Sequence, residues 1–241
     1  MRSIFLKELI AYFSSAVAYL IIGVFLIFTS LFTWVFPDSN VLDYGFSDLG
    51  SFFQLTPYLF FLLIPALTMR LFADEFRMGT FELLMTKPLS VWQLVLGKFF
   101  AAWLTIAAAL VPTIIYYISV YQLGSPVGNI DSAAIIGAYA GLFLLAGAFV
   151  SIGIFASSLT DNQIISFVIG MTICIFFYEG LHQVAQLFSG ETQFIIDYLS
   201  LQFQFNSLGR GLIDSRNLIY LISVCFFFLY CSYLKLLSKS R

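Results

Sequence analysis

Charged residues are scarce in this sequence: they make up 10% of its 241 positions, against about 25% in a typical soluble domain. Hydrophobic residues make up 61%, which leaves too little polar surface to cover a water-soluble fold. The composition therefore excludes a soluble globular domain and favours a protein embedded in a lipid bilayer.

Residue types that carry catalysis or bind metals are also scarce, because the chain has one histidine and three cysteines. Cys174, Cys225 and Cys231 lie inside apolar runs, where cysteine packs as a small apolar residue. No spacing typical of a metal site, a Ser/His/Asp set or a Cys/His set occurs. We therefore expect no catalytic residue, no bound metal and no cofactor, and an intramembrane enzyme is disfavoured.

Long hydrophobic runs, by contrast, are abundant. A helix needs about 20 apolar residues to cross the hydrocarbon core, and the chain has room for six such helices joined by short loops. The pattern predicts an all-α membrane protein with a single transmembrane domain over residues 1–241. The predicted spans are 14–36, 52–71, 99–121, 132–157, 164–184 and 217–237. Pro57 and Pro65 predict a kink in the second span.

The distribution of lysine and arginine predicts the orientation, since cytoplasmic loops carry an excess of both. With the N-terminus in the cytoplasm, nine of these residues lie inside and only two outside. The inside set is Arg2, Lys7, Arg70, Arg77, Lys87, Lys98, Lys235, Lys239 and Arg241, and the outside set is Arg210 and Arg216. We expect both termini to be cytoplasmic.

The first dozen residues predict a separate helix that lies along the membrane surface. Phe5, Leu9 and Tyr12 recur at helical spacing, and Lys7 falls on another face. Ser14 would then let the chain turn into the bilayer. The alternative is that the first span simply starts early.

The segment 70–98 holds seven of the chain's twenty-four charged residues between two apolar runs. On a helical wheel, Phe72, Phe76 and Leu83 form a stripe, and Glu75 falls on the opposite half with other charges. Met78, Phe81 and Met85 lie among these charges, which is typical of a docking patch on a water-facing surface. The alternative is a loop that is only solvated.

Two short motifs predict helix starts on the cytoplasmic side. Ser90 and Gln93 fit a capping box that begins a helix at about Val91, after a turn at Lys87-Pro88. Thr160 and Gln163 fit the same pattern before the fifth span. Lys98 is expected to extend its ammonium to the membrane surface.

The run EFRMGTFELLMTKPLSVWQLVLGKF resembles the intracellular segment of ABC-2 type transporter permeases. The matching positions are Glu75, Gly79, Thr80, Glu82, Leu83, Leu84, Pro88 and Lys98. The later stretch NSLGRGLIDSRNLIYLIS is similar to one in the gliding-motility-associated permease subunit of Bacteroidetes. The resemblance covers nearly the whole chain.

The resemblance implies six spans, an N-terminal surface helix and a coupling helix that docks on a nucleotide-binding subunit. The docking residues it implies are Glu75, Met78, Gly79, Thr80, Phe81, Glu82 and Met85. The chain has no Gly-x-x-x-x-Gly-Lys-Ser/Thr loop to cradle phosphates, so ATP hydrolysis is expected on a separate chain. Further expected partners are a second permease copy or paralogue, lipid, and a periplasmic auxiliary subunit; nucleic acid is not expected.

Near the outer end of the fifth span, Glu179 and His182 are candidates for an outer gate, because ionisable residues within a span are usually functional. Their i, i+3 spacing predicts a local hydrogen bond. The polar-aromatic segment 185–216 resembles the re-entrant or surface helices of these permeases.

The predicted function is the permease subunit of an ATP-driven export complex linked to gliding motility. The alternative is a membrane anchor that passes ATP-driven motion to a periplasmic partner without transporting a substrate. Both would use the same cytoplasmic segment.

Overall fold

The structure is a computed structural model that describes residues 2–37, 40–42, 48–85, 90–211 and 214–239, apart from the side chains of Leu83 and Met85. Within these residues the chain is helical and contains no β-strand, as expected for an all-α membrane protein. The step predicted at Lys87-Pro88 falls outside the described residues.

Six helical stretches are long and apolar enough to cross a membrane, which confirms the predicted number of spans. They are Ala16–Trp34, Gly50–Arg77, Val91–Leu123, Ser132–Leu159, Gln163–Ala185 and Ser215–Lys239. The second and third extend well beyond the expected 52–71 and 99–121. The extra residues are the helical continuations expected around the charged segment, since a helix was predicted to begin at about Val91 and the residues after Arg70 were treated as helical.

The N-terminal residues form a separate helix, α1 (Arg2–Ser14), before the first span, α2 (Ala16–Trp34). Ser15 adopts an extended conformation with φ −102° and ψ 156°, so the chain changes direction there. Helix α1 packs against the start of the third span, α6 (Val91–Leu110). The contact is close, since a Cβ on Gly97 would lie 2.9 Å from Cγ2 of Ile4.

The second span begins with α3 (Gly50–Thr68), which contains both prolines without interruption. Met69 then separates it from α4 (Arg70–Arg77), four residues after Pro65. A short helix, α5 (Thr80–Met85), follows. Beyond α6, a 3₁₀ turn at Val111–Thr113 containing Pro112 leads into α7 (Ile114–Leu123), an irregularity that the sequence prediction did not include.

The fourth span, α8 (Ser132–Leu159), is the centre of the bundle. In its most apolar stretch of 18 residues, 78% of the residues are buried, whereas the corresponding shares in the first and fifth spans are 28% and 22%. Its small residues permit close approach: a Cβ on Gly153 would overlap the Thr68 hydroxyl, and one on Gly137 would overlap the Leu208 carbonyl oxygen. These glycines therefore let neighbouring helices pack closely against α8.

The fifth span consists of α9 (Gln163–Ile175), a π-helical segment (Phe176–Gly180) and α10 (Leu181–Ala185). Two short helices, α11 (Glu191–Tyr198) and α12 (Leu201–Leu208), precede the last span, α13 (Ser215–Lys239). Helix α12 packs against α8 and α13 at the end of the bundle opposite α4 and α5.

Candidate functional site

Helices α4 and α5 and the turn between them form a bent unit, here called the elbow (Arg70–Met85), at the end of the second span. The turn is Met78-Gly79, and Gly79 has a φ of +67°, a conformation that residues with a Cβ rarely adopt. Inside the elbow, the Phe76 and Phe81 rings pack edge to face with centroids 5.0 Å apart. The angle between the two helices is therefore fixed by a glycine and an aromatic pair.

Lys98, from α6, lies behind the elbow with only 1% of its surface exposed. Its Nζ donates to Glu75 Oε1 at 2.7 Å, to the Leu71 carbonyl oxygen at 2.7 Å and to Glu8 Oε1 at 3.2 Å. The ammonium also lies 5.0 Å from the centroid of the Phe72 ring. One cation thus connects α1, α4 and α6.

This arrangement corrects two expectations. Lys98 does not extend to the membrane surface, and Glu75 is not on the exposed face but buried at 9% exposure. A buried ammonium is strongly destabilising unless it is paired and hydrogen-bonded, so it draws the nearest carboxylate inward. The Glu75 Oε2 atom has no hydrogen-bond partner in the described part of the chain, which makes the pair sensitive to any change around it.

Helix α1 completes this cluster and leaves a cavity of about 510 Å³ against the elbow, lined by Glu8, Tyr12 and Glu75 among others. The Tyr12 hydroxyl donates to the Leu67 carbonyl oxygen at 3.3 Å, near the end of α3. Burial raises the pKa of Tyr12 far above its ordinary value, with Glu8 adding to the shift. Tyr12 therefore remains a neutral donor that joins α1 to the second span.

Three further contacts hold the elbow from the other side. The Ser157 hydroxyl of α8 accepts hydrogen bonds from the Phe72 and Ala73 amides at 3.0 and 3.1 Å and donates to the Met69 carbonyl oxygen. The Gln163 side chain donates to Asp74. Lys239, at the end of α13, lies 3.4 Å from the centroid of the Phe76 ring. The elbow is thus connected to α1, α6, α8, α9 and α13.

The elbow leaves one face free of the bundle. Met78 is 63% exposed, Gly79 and Glu82 are also exposed, and Thr80 is half-buried. Phe81 is only 5% exposed, so its expected place among the surface charges is wrong. The wheel assumed one continuous helix, whereas Gly79 redirects α5 and turns Phe81 onto Phe76. The side chain of Met85 lies outside the described residues.

Of the two predicted caps, only the first is confirmed. The Ser90 hydroxyl accepts from the Gln93 amide and the Gln93 side chain accepts from the Ser90 amide, both at 3.3 Å. At the fifth span the cap is Asn162, not Thr160, because the Asn162 carboxamide oxygen accepts from the Ile164 and Ile165 amides of α9. Gln163 is instead engaged with Asp74.

At the opposite end, the predicted gate residues do not bond to each other. Glu179 lies in the π-helical segment. Its carboxylate accepts from the Tyr58 hydroxyl at 3.2 Å and from the side-chain carboxamide of Gln183 at 2.9 Å. His182 Nδ1 lies 2.6 Å from Asp197 Oδ1 of α11. The expected local pair is therefore wrong; each residue links the fifth span to a different element. Single-turn π segments are frequent at functional sites.

A model of the family described as ABC-2 family transporter protein matches residues 49–206. The match begins beside the second span, ends in α12 and takes in the elbow, so it spans more than half of the chain. The chain belongs to the ABC-2 family of transporter proteins. No curated protein matches it closely enough to serve as a named relative. As an ABC-2 family member with six spans, the chain is a multi-pass permease component of an ABC export system.

Sequence reasoning missed several residues that shape the ABC-2 permease elbow, namely Glu8, Tyr12, Ser157 and Gln163. The sequence did contain one signal of the contact between Glu8 and Lys98. Lys98 is the only charged residue within the predicted third span and its start, and Glu8 is the only acid in the N-terminal helix. A lone buried cation and a lone acid on a neighbouring helix indicate an ion pair. The Ser157 and Gln163 contacts had no such signal, because they depend on the packing of α8 and α9.

Proposed function

We propose that this ABC-2 permease docks a separate ATP-binding subunit on the free face of its elbow and converts the motion of that subunit into export. The observation that carries the proposal is the two-sided elbow. One face presents Met78, Gly79 and Glu82 to solvent, and the other is connected to five helices. Thr80 contributes to the free face, whereas Glu75 and Phe81 stabilise the conformation of the elbow. Met85 remains a candidate contact for the ATP-binding subunit.

The internal contacts determine how a displacement of the elbow would be transmitted to the other helices. A displacement of the elbow acts on α1 and α6 through the Lys98 ion pairs, and on α8 through the Ser157 hydrogen bonds. The second span continues into α4 in helical geometry, since Met69 has a φ of −54° and a ψ of −29°, so a push on the elbow reaches α3 directly. Pushing the elbow would therefore tilt the second and third spans together.

The sidedness of the proposal rests on the lysine and arginine count, which puts the elbow and both termini in the cytoplasm of a bacterial inner membrane. The first and fifth spans are the least buried, so a second permease copy or paralogue has free faces on which to pack. A role in gliding motility is supported by the resemblance of the stretch 206–223 to a gliding permease. A periplasmic auxiliary subunit would meet the outer helices α11 and α12.

Charge reversal on the free face tests the docking proposal. We expect Glu82→Lys to reduce recovery of a Walker-motif subunit with the permease in mild detergent, because Glu82 is an exposed acid on the free face. Glu191→Lys, an equally exposed acid at the other end of the bundle, is the matched control. Equal recovery of the ATP-binding subunit with both variants would count against docking at the elbow.

Cysteine labelling tests independently on which side of the membrane the elbow lies. In a variant without native cysteines, Met78→Cys should react with a membrane-impermeant maleimide only after the cells are opened. Reaction in intact cells would place the elbow outside, where no ATP-binding subunit could reach it.

A further inference from the structure

A groove of about 570 Å³ opens on the side of the bundle, between the start of α1, the middle of α6 and α8. Its size falls within the range of about 300–1,000 Å³ that is typical of small-molecule sites. No contact described above for docking or coupling involves its lining. One of the lining residues is charged and the other five are apolar: Arg2, Phe5, Phe100, Trp103, Leu104 and Phe143.

The wall of the groove is an ordered aromatic surface built around Trp103. The indole packs on the Phe143 ring with centroids 4.3 Å apart and stacks on the Phe99 ring at 5.5 Å. Its Nε1 donates to the Phe143 carbonyl oxygen at 2.8 Å, so the one polar atom of the indole has a partner. Gly147 leaves space for the indole, since a Cβ there would lie 3.3 Å from Nε1. The wall therefore offers an occupant apolar surface alone.

The groove extends from the level of α1 into the bilayer. Helix α1 crosses α6 where Ile4 meets Gly97, and Leu104 lies seven residues farther along the span, a distance of about 10 Å. Leu104 and Phe143 are 47% and 38% exposed, although both belong to membrane-spanning helices. Lipid surrounds such a surface, so a hydrocarbon chain is the occupant that this part of the groove fits.

Arg2 is the only charged side chain that lines the groove in the part of the chain that the structure describes. It is exposed and forms no ion pair with a described residue. The one acid of α1, Glu8, is bound to Lys98 instead. A planar guanidinium binds phosphate through two parallel N–H groups. One cation without an acid beside it matches one phosphate that carries a neutral head group, and it would repel the ammonium of a zwitterionic lipid.

We propose that this groove binds one anionic phospholipid of the phosphatidylglycerol type, with its phosphate on Arg2 and an acyl chain against Phe100, Trp103 and Phe143. The bound lipid holds α1 against α6, next to the Lys98 cluster. A second permease copy fits the groove less well, because neither the first nor the fifth span lines it and an apolar protein surface would leave Arg2 unpaired. The inference requires only that the chain spans a membrane.

Quenching of tryptophan fluorescence tests this proposal with the full chain in vesicles of phosphatidylcholine. The chain has three tryptophans, and Trp34→Phe/Trp92→Phe leaves Trp103 alone to report on the groove. Increasing fractions of the lipid are replaced by phosphatidylglycerol, phosphatidylcholine or phosphatidylethanolamine that is brominated on its acyl chains, because bromine quenches an indole that it contacts. The variant Trp92→Phe/Trp103→Phe keeps Trp34, at the end of the first span, as the control.

We expect brominated phosphatidylglycerol to bind next to Trp103 about fivefold more tightly than brominated phosphatidylcholine, the factor that one arginine near the membrane surface contributes. Phosphatidylethanolamine should show no such preference. Arg2→Gln should abolish the preference for phosphatidylglycerol. Lys7→Gln should retain it, because Lys7 is an exposed cation of the same helix that does not line the groove. All three lipids should quench Trp34 equally.

Equal quenching of Trp103 by brominated phosphatidylglycerol and phosphatidylcholine would overturn the proposal, since it would describe an ordinary lipid-facing surface. Absence of quenching by all three lipids would also overturn it, because protein would then cover the groove. An equal loss of preference in Arg2→Gln and Lys7→Gln would assign the effect to the general charge of α1 and not to the groove. None of these results depends on the ATP-binding subunit or on which side of the membrane the elbow lies.

Discussion

The two ends of this ABC-2 permease use polar residues in opposite ways. At the elbow, the Lys98 ammonium makes three hydrogen bonds across helices, and Ser157 accepts two backbone amides from α4. At the end opposite the elbow, Gln54, Gln202 and Asn206 line a cavity of about 740 Å³, and Gln54 and Asn206 are exposed. Polar groups that bond across helices hold those helices in one arrangement, whereas exposed polar groups bond to water and hold none. The comparison separates an end where buried polar side chains connect several helices from an end where the amides that line a cavity do not.

The largest expected effect comes from removing the cation that connects the elbow. Lys98→Met leaves the buried Glu75 carboxylate without its partner, and loss of one member of a buried ion pair costs about 3–5 kcal/mol. We expect the free energy of unfolding in detergent to fall by that amount, measured by denaturant titration. The double variant Lys98→Met/Glu75→Gln removes both charges and should recover part of the loss. A Lys98→Met protein as stable as the parent would show that the ion pairs do not stabilise the elbow.

The next effect concerns the hydrogen bonds from α8. Ser157→Ala leaves the Phe72 and Ala73 amides unpaired inside the bundle, which we expect to cost about 1–3 kcal/mol of unfolding free energy. Ser158→Ala is the matched control, because the Ser158 hydroxyl bonds only to the Phe155 carbonyl oxygen within its own helix. Equal unfolding midpoints for the two variants would mean that water takes over the hydrogen bonds that the Ser157 hydroxyl makes.

Much of the fold was predictable, because apolar length and helix-capping motifs depend only on local sequence. The six spans, the separate N-terminal helix and the Ser90–Gln93 capping box are all confirmed. The errors at Glu75, Phe81 and Lys98 share one cause. Each side chain is positioned by a partner distant in sequence, and a helical wheel drawn through Gly79 contains no information about that partner.

The candidate site was predictable in location but not in detail. The charged segment between the second and third spans pointed to the elbow, and Met78, Gly79 and Glu82 are indeed exposed there. The cavity at the end opposite the elbow gave no sequence signal, since Gln54, Gln202 and Asn206 belong to segments that meet only when α12 packs against α8. Isolated amides in a hydrophobic chain are too common to identify a site.

A smaller effect is expected from the glycine that bends the elbow. Gly79→Ala forces a residue with a Cβ to a φ of +67°, at a cost of about 1–2 kcal/mol, although no atom lies within 4 Å of the new Cβ. Gly23→Ala, within α2 and equally unobstructed, should be neutral or slightly stabilising. We also expect Gly79→Ala to reduce recovery of the ATP-binding subunit, because the docking face changes angle. Normal recovery with lowered stability would assign Gly79 to folding alone.

The smallest effect should come from the ion pair at the outer end. His182 and Asp197 keep 30% and 23% of their side chains exposed, and pairs accessible to solvent contribute about 0.2–1 kcal/mol. Asp197→Asn should therefore shift the unfolding free energy by less than about 1 kcal/mol. If the loss instead equalled that of Lys98→Met, the end opposite the elbow would be as rigidly held as the elbow, and the contrast between the two ends would fail.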